Sequence, residues 1–367
     1  MDFAAAGLLN GLEGKDREAR QQLLERLADD GFSLEELKSA VAEDRLALLP
    51  VERVLGGHWS ADEISERTGL SVEQLLRLRR QLGLPEIAPS EHAFSDEWLA
   101  AAESTRLFMD AGLREDAIAE ISRVLGEAMA RVAATTTAAF ADSFLKPGDS
   151  EEDVAWRFAG LAEQLTPPFG PVLVAAFKGH LRETVQQGMI SRAELAAGQL
   201  AGEQETAVCF ADLVGFTTLG GQLQAEELGG VISRFAELAG EVADSQVRLV
   251  KTIGDAAMLS AREPGPLVDA ALSLLELVEA ADLPSLRAGV ACGKAVQRAG
   301  DLYGHVVNLA SRVTGVARPG SVLCTKEVRD AAPDDFDWSY AGKHRLKGVG
   351  NAVPLYRARR LPGESRN

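Results

Sequence analysis

The hydrophobic pattern of this 367-residue chain changes near residue 206. Before that point apolar residues recur at helical spacing, and Ser followed three positions later by Glu or Gln marks several helix starts. After it, short apolar runs with β-branched residues alternate with amphipathic stretches. A chain of this length holds about two domains. We therefore expect an α+β protein with an all-α domain over residues 1–190, a linker over 191–205, a mixed domain over 206–360 and a tail over 361–367.

Charge limits the partners that such a chain can have. The formal net charge is -17 and the hydrophobic content is 46%. A strongly acidic globular protein is a poor partner for nucleic acid or for an anionic membrane surface, but it can bind a nucleotide whose charge a metal neutralises locally. The amino terminus lacks a basic region before an apolar core, and no apolar run is long enough for a membrane span. The sequence therefore predicts a cytoplasmic protein.

The first half reads as a series of helices. Proline pairs and Pro-Gly steps separate them, and Pro167 with Pro168 predicts a break between the last two. The expected helices cover residues 16–29, 34–41, 60–82 as a pair, 96–111, 115–144, 151–164 and 171–187.

The expected helix pair over residues 60–82 resembles a helix-turn-helix unit. Capping boxes at Ser60 and Ser71 predict its two helices, with a glycine turn between them. The second helix carries three arginines, which in a DNA-binding protein would enter the major groove. The surrounding sequence is acidic and has no flanking basic arm, which favours a structural helical hairpin over DNA binding.

The second half alternates strands and helices. The strands are expected over residues 206–211, 247–253, 255–261, 286–292, 321–325 and 353–359, and the helices over 224–244, 265–281 and 305–317. Up to residue 292 this is the strand–helix–strand–strand–helix–strand order of a ferredoxin-like domain.

Two acids stand where strands of this domain end. Asp212 follows the first strand, and Asp255 lies in the turn Lys251-Thr-Ile-Gly-Asp. If the first strand lies between the two strands of that hairpin and antiparallel to them, the two carboxylates meet. Close carboxylates repel each other unless a cation bridges them, and oxygen ligands without histidine suit Mg²⁺ or Mn²⁺. Taken alone, each Asp would more often be a turn residue or a helix cap.

Phosphate-binding groups are expected near the same place. Phe216 and Thr217 begin the helix after the first strand, where backbone N–H groups favour an anion. Arg345 and Lys347 lie in a later basic loop that could reach the outer phosphates of a nucleotide. A solvated loop without a ligand is the equal alternative for those two.

Together with a third motif, which runs from Asp301 to Arg312, these residues resemble the class III nucleotidyl cyclase catalytic domain over about residues 206–360. The resemblance implies a homodimer with two shared active sites, each drawing metal-binding and base-binding residues from one chain and transition-state residues from the other. It also implies that Asp212, Leu213 and Asp255 hold two ions, Mg²⁺ or Mn²⁺.

The same resemblance assigns the substrate contacts. Lys251 and Asp301 would read the purine, Asn308 would orient the ribose, and Arg312 would contact the reacting phosphate. A lysine donor and an aspartate acceptor complement N1 and N6 of adenine, whereas guanine reverses both polarities. The expected activity is conversion of ATP to cyclic AMP and pyrophosphate. The alternative is a cyclase-like signalling module that binds a nucleotide with little turnover.

The helical half resembles the regulatory domain of soluble actinobacterial cyclases, some of which respond to pH. The resemblance implies that residues 1–190 regulate the catalytic half. The composition of residues 191–205 leads to the hypothesis that the helical domain dimerises and holds the catalytic halves apart until a signal refolds that linker. It leaves open whether the signal is a proton or a small or lipid-like ligand. Of the five histidines, His180 is the best placed for a proton switch, and a snorkelling or packed helix residue is the alternative.

Overall fold

The computed structural model describes residues 1–146, 148–187, 204–216, 221, 224–298 and 300–362. The chain forms two compact units, Met1–Lys178 and Gly179–Asn367. Of the expected linker, residues 191–203 lie outside the described residues. Gln204 and Glu205 begin a strand, so their assignment to the linker is wrong.

The first unit is helical, as the sequence predicts. Its helices are α1 (Gly14–Asp29), α2 (Leu34–Ala42), a 3-10 turn (Leu46–Leu48), α3 (Leu49–Leu55), α4 (Ala61–Thr68), α5 (Val72–Gln81), α6 (Asp96–Asp110), α7 (Glu115–Phe144) and the part of α8 (Glu151–Gln187) that precedes Gly179. Ser33, Ser60 and Ser71 each form the predicted capping box, in which the serine side chain accepts the N–H of the third helical residue. Within the described residues, none of the helices combines the length and apolar character that crossing a bilayer requires.

The expected break in α8 is wrong. The helix continues through Pro167, Pro168 and Pro171. Each proline removes one N–H donor, but its ring holds φ near the helical value, so the chain can keep the helical path at the cost of hydrogen bonds.

The α4–α5 pair is packed as a structural hairpin. Its buried residues join a small apolar cluster with α6, formed by Ala61, Ile64, Leu70, Leu75, Phe94 and Ala102. The three arginines of α5 are engaged inside the unit. Arg77 binds Glu73 at 2.8 Å, Arg79 donates to the Pro85 carbonyl at 3.0 Å, and Arg80 lies 3.4 Å from the Glu86 carboxylate. These contacts support the structural interpretation of the pair.

The second unit is a mixed sheet with helices on both faces. Its strands are β1 (Gln204–Leu213), β2 (Val247–Ile253), β3 (Ala256–Ala261), β4 (Leu286–Arg298), β5 (Asp301–Tyr303), β6 (Ser321–Thr325), β7 (Asp337–His344) and β8 (Val353–Arg359). Its helices are α9 (Ala225–Glu241), α10 (Pro264–Ala280), α11 (His305–Val316) and α12 (Lys326–Ala331). The order β1–α9–β2–β3–α10–β4 confirms the ferredoxin-like prediction. The elements β5, α12 and β7 were not predicted.

The sheet order corrects one expectation. The strands run β2-β3-β1-β4-β6-β8-β7, with β5 paired to the far end of β4. β1 therefore lies between β3 and β4, not between the two strands of the β2–β3 hairpin. A tight turn makes β2 and β3 pair with each other directly, so β1 can join only at an outer edge of the hairpin, and it pairs with the free edge of β3.

Apolar layers cover the two faces of the sheet. One face packs on α9, α10 and α12 through a large cluster that includes Cys209, Phe235 and Leu267. The other face packs on α11. Gly289 of β4 permits this second contact, because a Cβ there would lie 2.2 Å from the backbone nitrogen of Thr314 on α11. The close approach sets the position of α11 on the sheet.

Candidate functional site

Asp212 lies at the end of β1, directly across from Arg287 of β4 and Ala256 of β3. The guanidinium donates two hydrogen bonds to the same carboxylate oxygen: Nε lies 2.9 Å and Nη2 2.5 Å from Oδ2. Both side chains are partly buried. The arginine therefore neutralises this acid while its second oxygen, Oδ1, takes no part in the pair.

Asp255 lies beside it, in the turn between β2 and β3. Gly254 supplies the left-handed conformation of the turn, with φ at 59°. The Asp255 carbonyl accepts the Leu213 N–H at 3.0 Å, which fastens the turn to the end of β1. Burial raises the pKa of the Asp255 carboxyl, the Asp212 carboxylate adds to the rise, and Arg287 opposes it. The two acids are thus close enough to repel.

This pair fits a hard divalent cation. A cation between two carboxylates favours the ionised form of both, so it offsets the burial and, with it, the repulsion from Asp212 that raise the Asp255 pKa. The Leu213 side chain is a buried hydrocarbon without a donor atom, so only its backbone carbonyl oxygen could be a ligand. Among the described residues no group of three or more His, Cys, Asp or Glu side chains could hold a metal. The remaining ligands would be water and phosphate oxygens.

The structure brings the two expected purine-binding residues into contact. Lys251 forms an ion pair with Asp301. Lys251 follows a bulge in β2, where the register shifts between Leu249 and Lys251, and Asp301 begins the short strand β5. The Leu302 N–H donates to the other Asp301 oxygen at 2.9 Å, which orients the carboxylate. The lysine and aspartate side chains remain 38% and 26% exposed, so a ligand can reach them.

Asn308 and Arg312 lie one turn apart on α11, and both are exposed. Val306, Ala310 and Val313 of the same helix are buried, so they hold its other side to the rest of the domain. Within the described part of the chain, neither Asn308 nor Arg312 has a hydrogen bond or ion pair to the carboxylates or to the purine pair. One copy of the chain does not join the two halves of the expected site by direct contact.

No described hydrogen bond or ion pair links Phe216 to Arg345 or Lys347, the expected phosphate-binding residues that the structure describes. The Phe216 side chain packs against the main core of the domain, so only its backbone N–H is left for a phosphate. Thr217 lies outside the described residues. Arg345 and Lys347 are exposed between β7 and β8, and no described contact ties them to Asp212. Their roles stay predictions.

Arg287, in the described part of the site, is a residue that sequence reasoning missed. The signal was an arginine inside an otherwise apolar strand, Leu286-Arg-Ala-Gly-Val. That signal alone does not name a partner, because the pairing with Asp212 depends on the register between β1 and β4.

Comparison with known families accounts for both units. Residues 1–185 match the family described as adenylate cyclase regulatory domain. Residues 199–356 match the family described as adenylate and guanylate cyclase catalytic domain.

Several relatives align over most of the chain. This chain is 40% identical over 363 residues to a pH-sensitive adenylate cyclase of Mycobacterium tuberculosis, and the alignment covers 96% of this chain and 91% of the relative. It is 31% identical over 289 residues to an adenylate cyclase of Streptomyces coelicolor, with 77% and 74% covered. Among solved structures, the adenylyl cyclase CyaB from P. aeruginosa covers 45% of this chain and 99% of its own, at 19% identity and a TM-score of 0.40. Because both family models match and one relative aligns over nearly the full length, this chain belongs to the class III adenylate cyclases, with an adenylate cyclase regulatory domain ahead of the catalytic domain.

Proposed function

We propose that this chain converts ATP to 3′,5′-cyclic AMP and pyrophosphate at two sites shared across a homodimer, with two divalent ions, Mg²⁺ or Mn²⁺, per site. The observation that carries the proposal is the division of the site residues. The acids and the purine pair are engaged within one chain, whereas Asn308 and Arg312 are exposed on the free side of α11. A second copy of the chain would supply the missing half.

The ions would be held by Asp212 and Asp255, with the Leu213 carbonyl, and would favour ionisation of the ribose 3′-hydroxyl and neutralise phosphate charge. Arg287 would contribute to this metal-binding site in two ways. It holds Asp212 at the end of β1, and it screens Asp212 from Asp255 when no cation is bound. Preorganised acids of this kind need little rearrangement when the charged substrate arrives.

The Lys251–Asp301 pair supports adenine as the base. The lysine ammonium has three donors, so it can remain on Asp301 and still donate to N1 of adenine. The Asp301 carboxylate can accept from the N6 amino group. Guanine would set donor against donor and acceptor against acceptor, which leaves polar groups unpaired and can cost orders of magnitude in kcat/KM.

The remaining groups would act on the sugar and phosphates. Asn308 of the second copy would orient the ribose, and Arg312 of that copy would stabilise the charge that develops on the reacting phosphate. Lys347 and the N–H groups at Phe216 and Thr217 would bind the outer phosphates. Proton transfer from the 3′-oxygen has no assigned side chain among these.

Regulation by the helical unit is part of the proposal. The Mycobacterium tuberculosis relative is described as pH-sensitive, which supports a proton as the signal to test. We propose that residues 1–190 inhibit the catalytic domain of a cytoplasmic enzyme until the signal changes residues 191–205. His180, exposed on α8, is the candidate sensor, and a small or lipid-like ligand is the other candidate signal.

The decisive experiment measures cyclic AMP formed from ATP by the full chain with Mn²⁺ or Mg²⁺. Lys251→Ala and Asn308→Ala should each be inactive alone and should regain part of the activity when mixed, because a heterodimer keeps one intact site. Mixing Lys251→Ala with Asp301→Ala is the matched control, since both changes fall in the same half and no intact site can form. Absence of rescue despite proven heterodimers would exclude a shared site.

The alternative is a module that binds ATP with little turnover. The same assay separates the two, because such a module would bind ATP in calorimetry and release no cyclic AMP. The unbroken set of six expected groups, Asp212, Lys251, Asp255, Asp301, Asn308 and Arg312, favours the enzyme.

A further inference from the structure

Thr314 of α11 lies on one pair of residues in the sheet. Phe210 of β1 and Gly289 of β4 are directly opposite each other. The Thr314 hydroxyl lies 3.1 Å from the Phe210 carbonyl oxygen and 2.9 Å from that of Ala310, one turn earlier in the helix. Gly289 leaves room for this contact, because an added Cβ would lie 2.6 Å from the same hydroxyl oxygen. Thr314 is only 4% exposed, so it depends on these partners rather than on water.

The bond to the sheet is what distinguishes this threonine. A threonine inside a helix commonly bonds only the carbonyl four residues earlier. Thr135 and Thr137 of α7 do so, each at 2.9 Å and each exposed, and such a bond fixes nothing outside its own helix. The Thr314 hydroxyl shares its one proton with a carbonyl 104 positions away. It therefore joins α11 to β1.

This bond connects the two groups of expected site residues within one chain. Phe210 lies two residues before Asp212, and Thr314 lies two residues after Arg312. Two residues turn a helix by about 200°, so the buried Thr314 directs Arg312 to the opposite, exposed side of α11. Asn308 lies one turn before Arg312. A slide or rotation of α11 on β1 therefore moves both groups relative to the sheet that carries the acids.

We propose that Thr314 is a positioning residue for the cyclase reaction, because its hydrogen bond to Phe210 fixes α11 where Asn308 and Arg312 meet the substrate. The inference deepens the proposed function and rests on it for the roles of those two groups. Reacting groups work only near the productive geometry, and a displacement of about 1 Å can cost about a hundredfold in rate. Thr314 itself is buried beneath α11 and would touch no substrate.

Thr314→Val tests the hydroxyl with little change of side-chain shape. The variant should lower kcat for cyclic AMP formation about tenfold and leave the KM for ATP within about twofold, since the residues that bind the metal and the purine are unchanged. Thr314→Ser retains the hydroxyl, so its kcat should stay within about threefold of the wild type.

Thr325→Val is the matched control. Thr325 is a fully buried threonine on β6 of the same domain, and among the described residues its hydroxyl has no hydrogen-bond partner. Removing a hydroxyl that makes no bond should leave kcat and KM at the wild-type values.

Mixed dimers separate positioning from a general loss of structure. When Lys251→Ala is mixed with Asn308→Ala, the one intact site takes its α11 from the Lys251→Ala chain. Thr314→Val added to that chain should lower the rescued activity about tenfold. Added to the Asn308→Ala chain instead, whose α11 is already disabled, it should change the rescue by less than about twofold. A general structural defect would act equally in either chain.

Hydrogen exchange provides a measurement that needs no turnover. Amide exchange over residues 305–316 should be about fivefold faster in Thr314→Val than in the wild type, because a helix without this anchor opens more often. Residues 321–325 of β6 should exchange at the wild-type rate.

The results that overturn the inference are a wild-type kcat in Thr314→Val, an equal loss in Thr314→Ser, or equal losses from the two placements in mixed dimers. Failure of the proposed function would look different. A chain that forms no cyclic AMP would end that proposal, and parent variants that do not rescue each other would end the shared site. The exchange rates would then decide the inference, and unchanged exchange over residues 305–316 would refute it.

Discussion

Arg287 and Asp212 face each other across β1 and β4, and both Nε and Nη2 of the arginine donate to the same oxygen, Oδ2. The contact places a permanent positive charge beside the acids that would bind metal. It also opposes the rise in the pKa of Asp255. The site is therefore electrostatically prepared before any cation arrives.

Arg287→Ala should lower the free energy of unfolding of the metal-free protein by about 1–2 kcal/mol, because it leaves a partly buried carboxylate unpaired beside a second acid. Mg²⁺ should restore part of that loss. Urea unfolding with and without Mg²⁺ measures both effects.

Arg359→Ala is the control for this change. Arg359 lies on β8, and its ion pair with Asp337 is long, 4.0 Å, with both side chains more than half exposed. Loss of this ion pair should lower the free energy of unfolding by no more than about 0.5 kcal/mol. Equal losses in the two variants would contradict the role given to Arg287.

Asp255→Asn should stabilise the metal-free protein at neutral pH. Because the pKa of Asp255 is raised in the folded state, the folded chain binds this proton more tightly than the unfolded chain. Stability from this group falls as the pH rises from the ordinary Asp value, about 3.9, through the raised pKa, and stays lower above it. Asparagine has no carboxyl to ionise, so the variant does not lose this stability as the pH rises.

Thermal melts across pH check this prediction. We expect the melting temperature of Asp255→Asn to exceed that of the wild type by about 1–2 °C at neutral pH, with the difference disappearing in acid. Mg²⁺ should reverse the order, since it stabilises only a chain that binds it. A variant that melts below the metal-free wild type at neutral pH would show that burial of this carboxylate carries no cost.

Gly289→Ala should displace α11, because the new Cβ would lie 2.2 Å from the Thr314 nitrogen. Overpacking of this kind costs about 1–3 kcal/mol, and activity should fall further because Asn308 and Arg312 lie on the displaced helix. Gly315→Ala on the same helix has open space around the added methyl and should stabilise by about 0.5–1 kcal/mol. Unfolding curves of the two variants should thus move in opposite directions.

Arg312→Ala should lower kcat by about 10²–10³ with little change in KM, since the guanidinium would act on charge that appears only in the transition state. Steady-state cyclic AMP assays measure both constants. Arg318→Ala, an exposed arginine just beyond α11, should change neither. A raised KM with an unchanged kcat would assign Arg312 to ground-state binding instead.

Much of the site could be predicted from short stretches of sequence, because several of its residues lie within single turns or strand ends. Asp212 lies at the end of a strand and Asp255 lies in a glycine turn. The elements around them could therefore be predicted without knowing which distant residues they contact. The elements that went unpredicted are short or irregular. β5 has three residues, and β7 carries a register shift near Gly342 that interrupts the alternation a strand would show. Such segments acquire their structure from the strands they pair with.

The sequence by itself determined the all-α and α+β halves, the strand–helix order from β1 to β4, and the chemical types of the expected site residues, since hydrophobic periodicity and capping act over a few residues. Only the tertiary structure decided that β1 lies between β3 and β4, that Arg287 neutralises Asp212, and that Asn308 and Arg312 stay exposed on α11. Strand register and helix docking depend on packing between residues far apart in the chain, and Asp212 meets Arg287 across 75 positions. No pattern within a few residues can predict a contact between residues so far apart in the sequence.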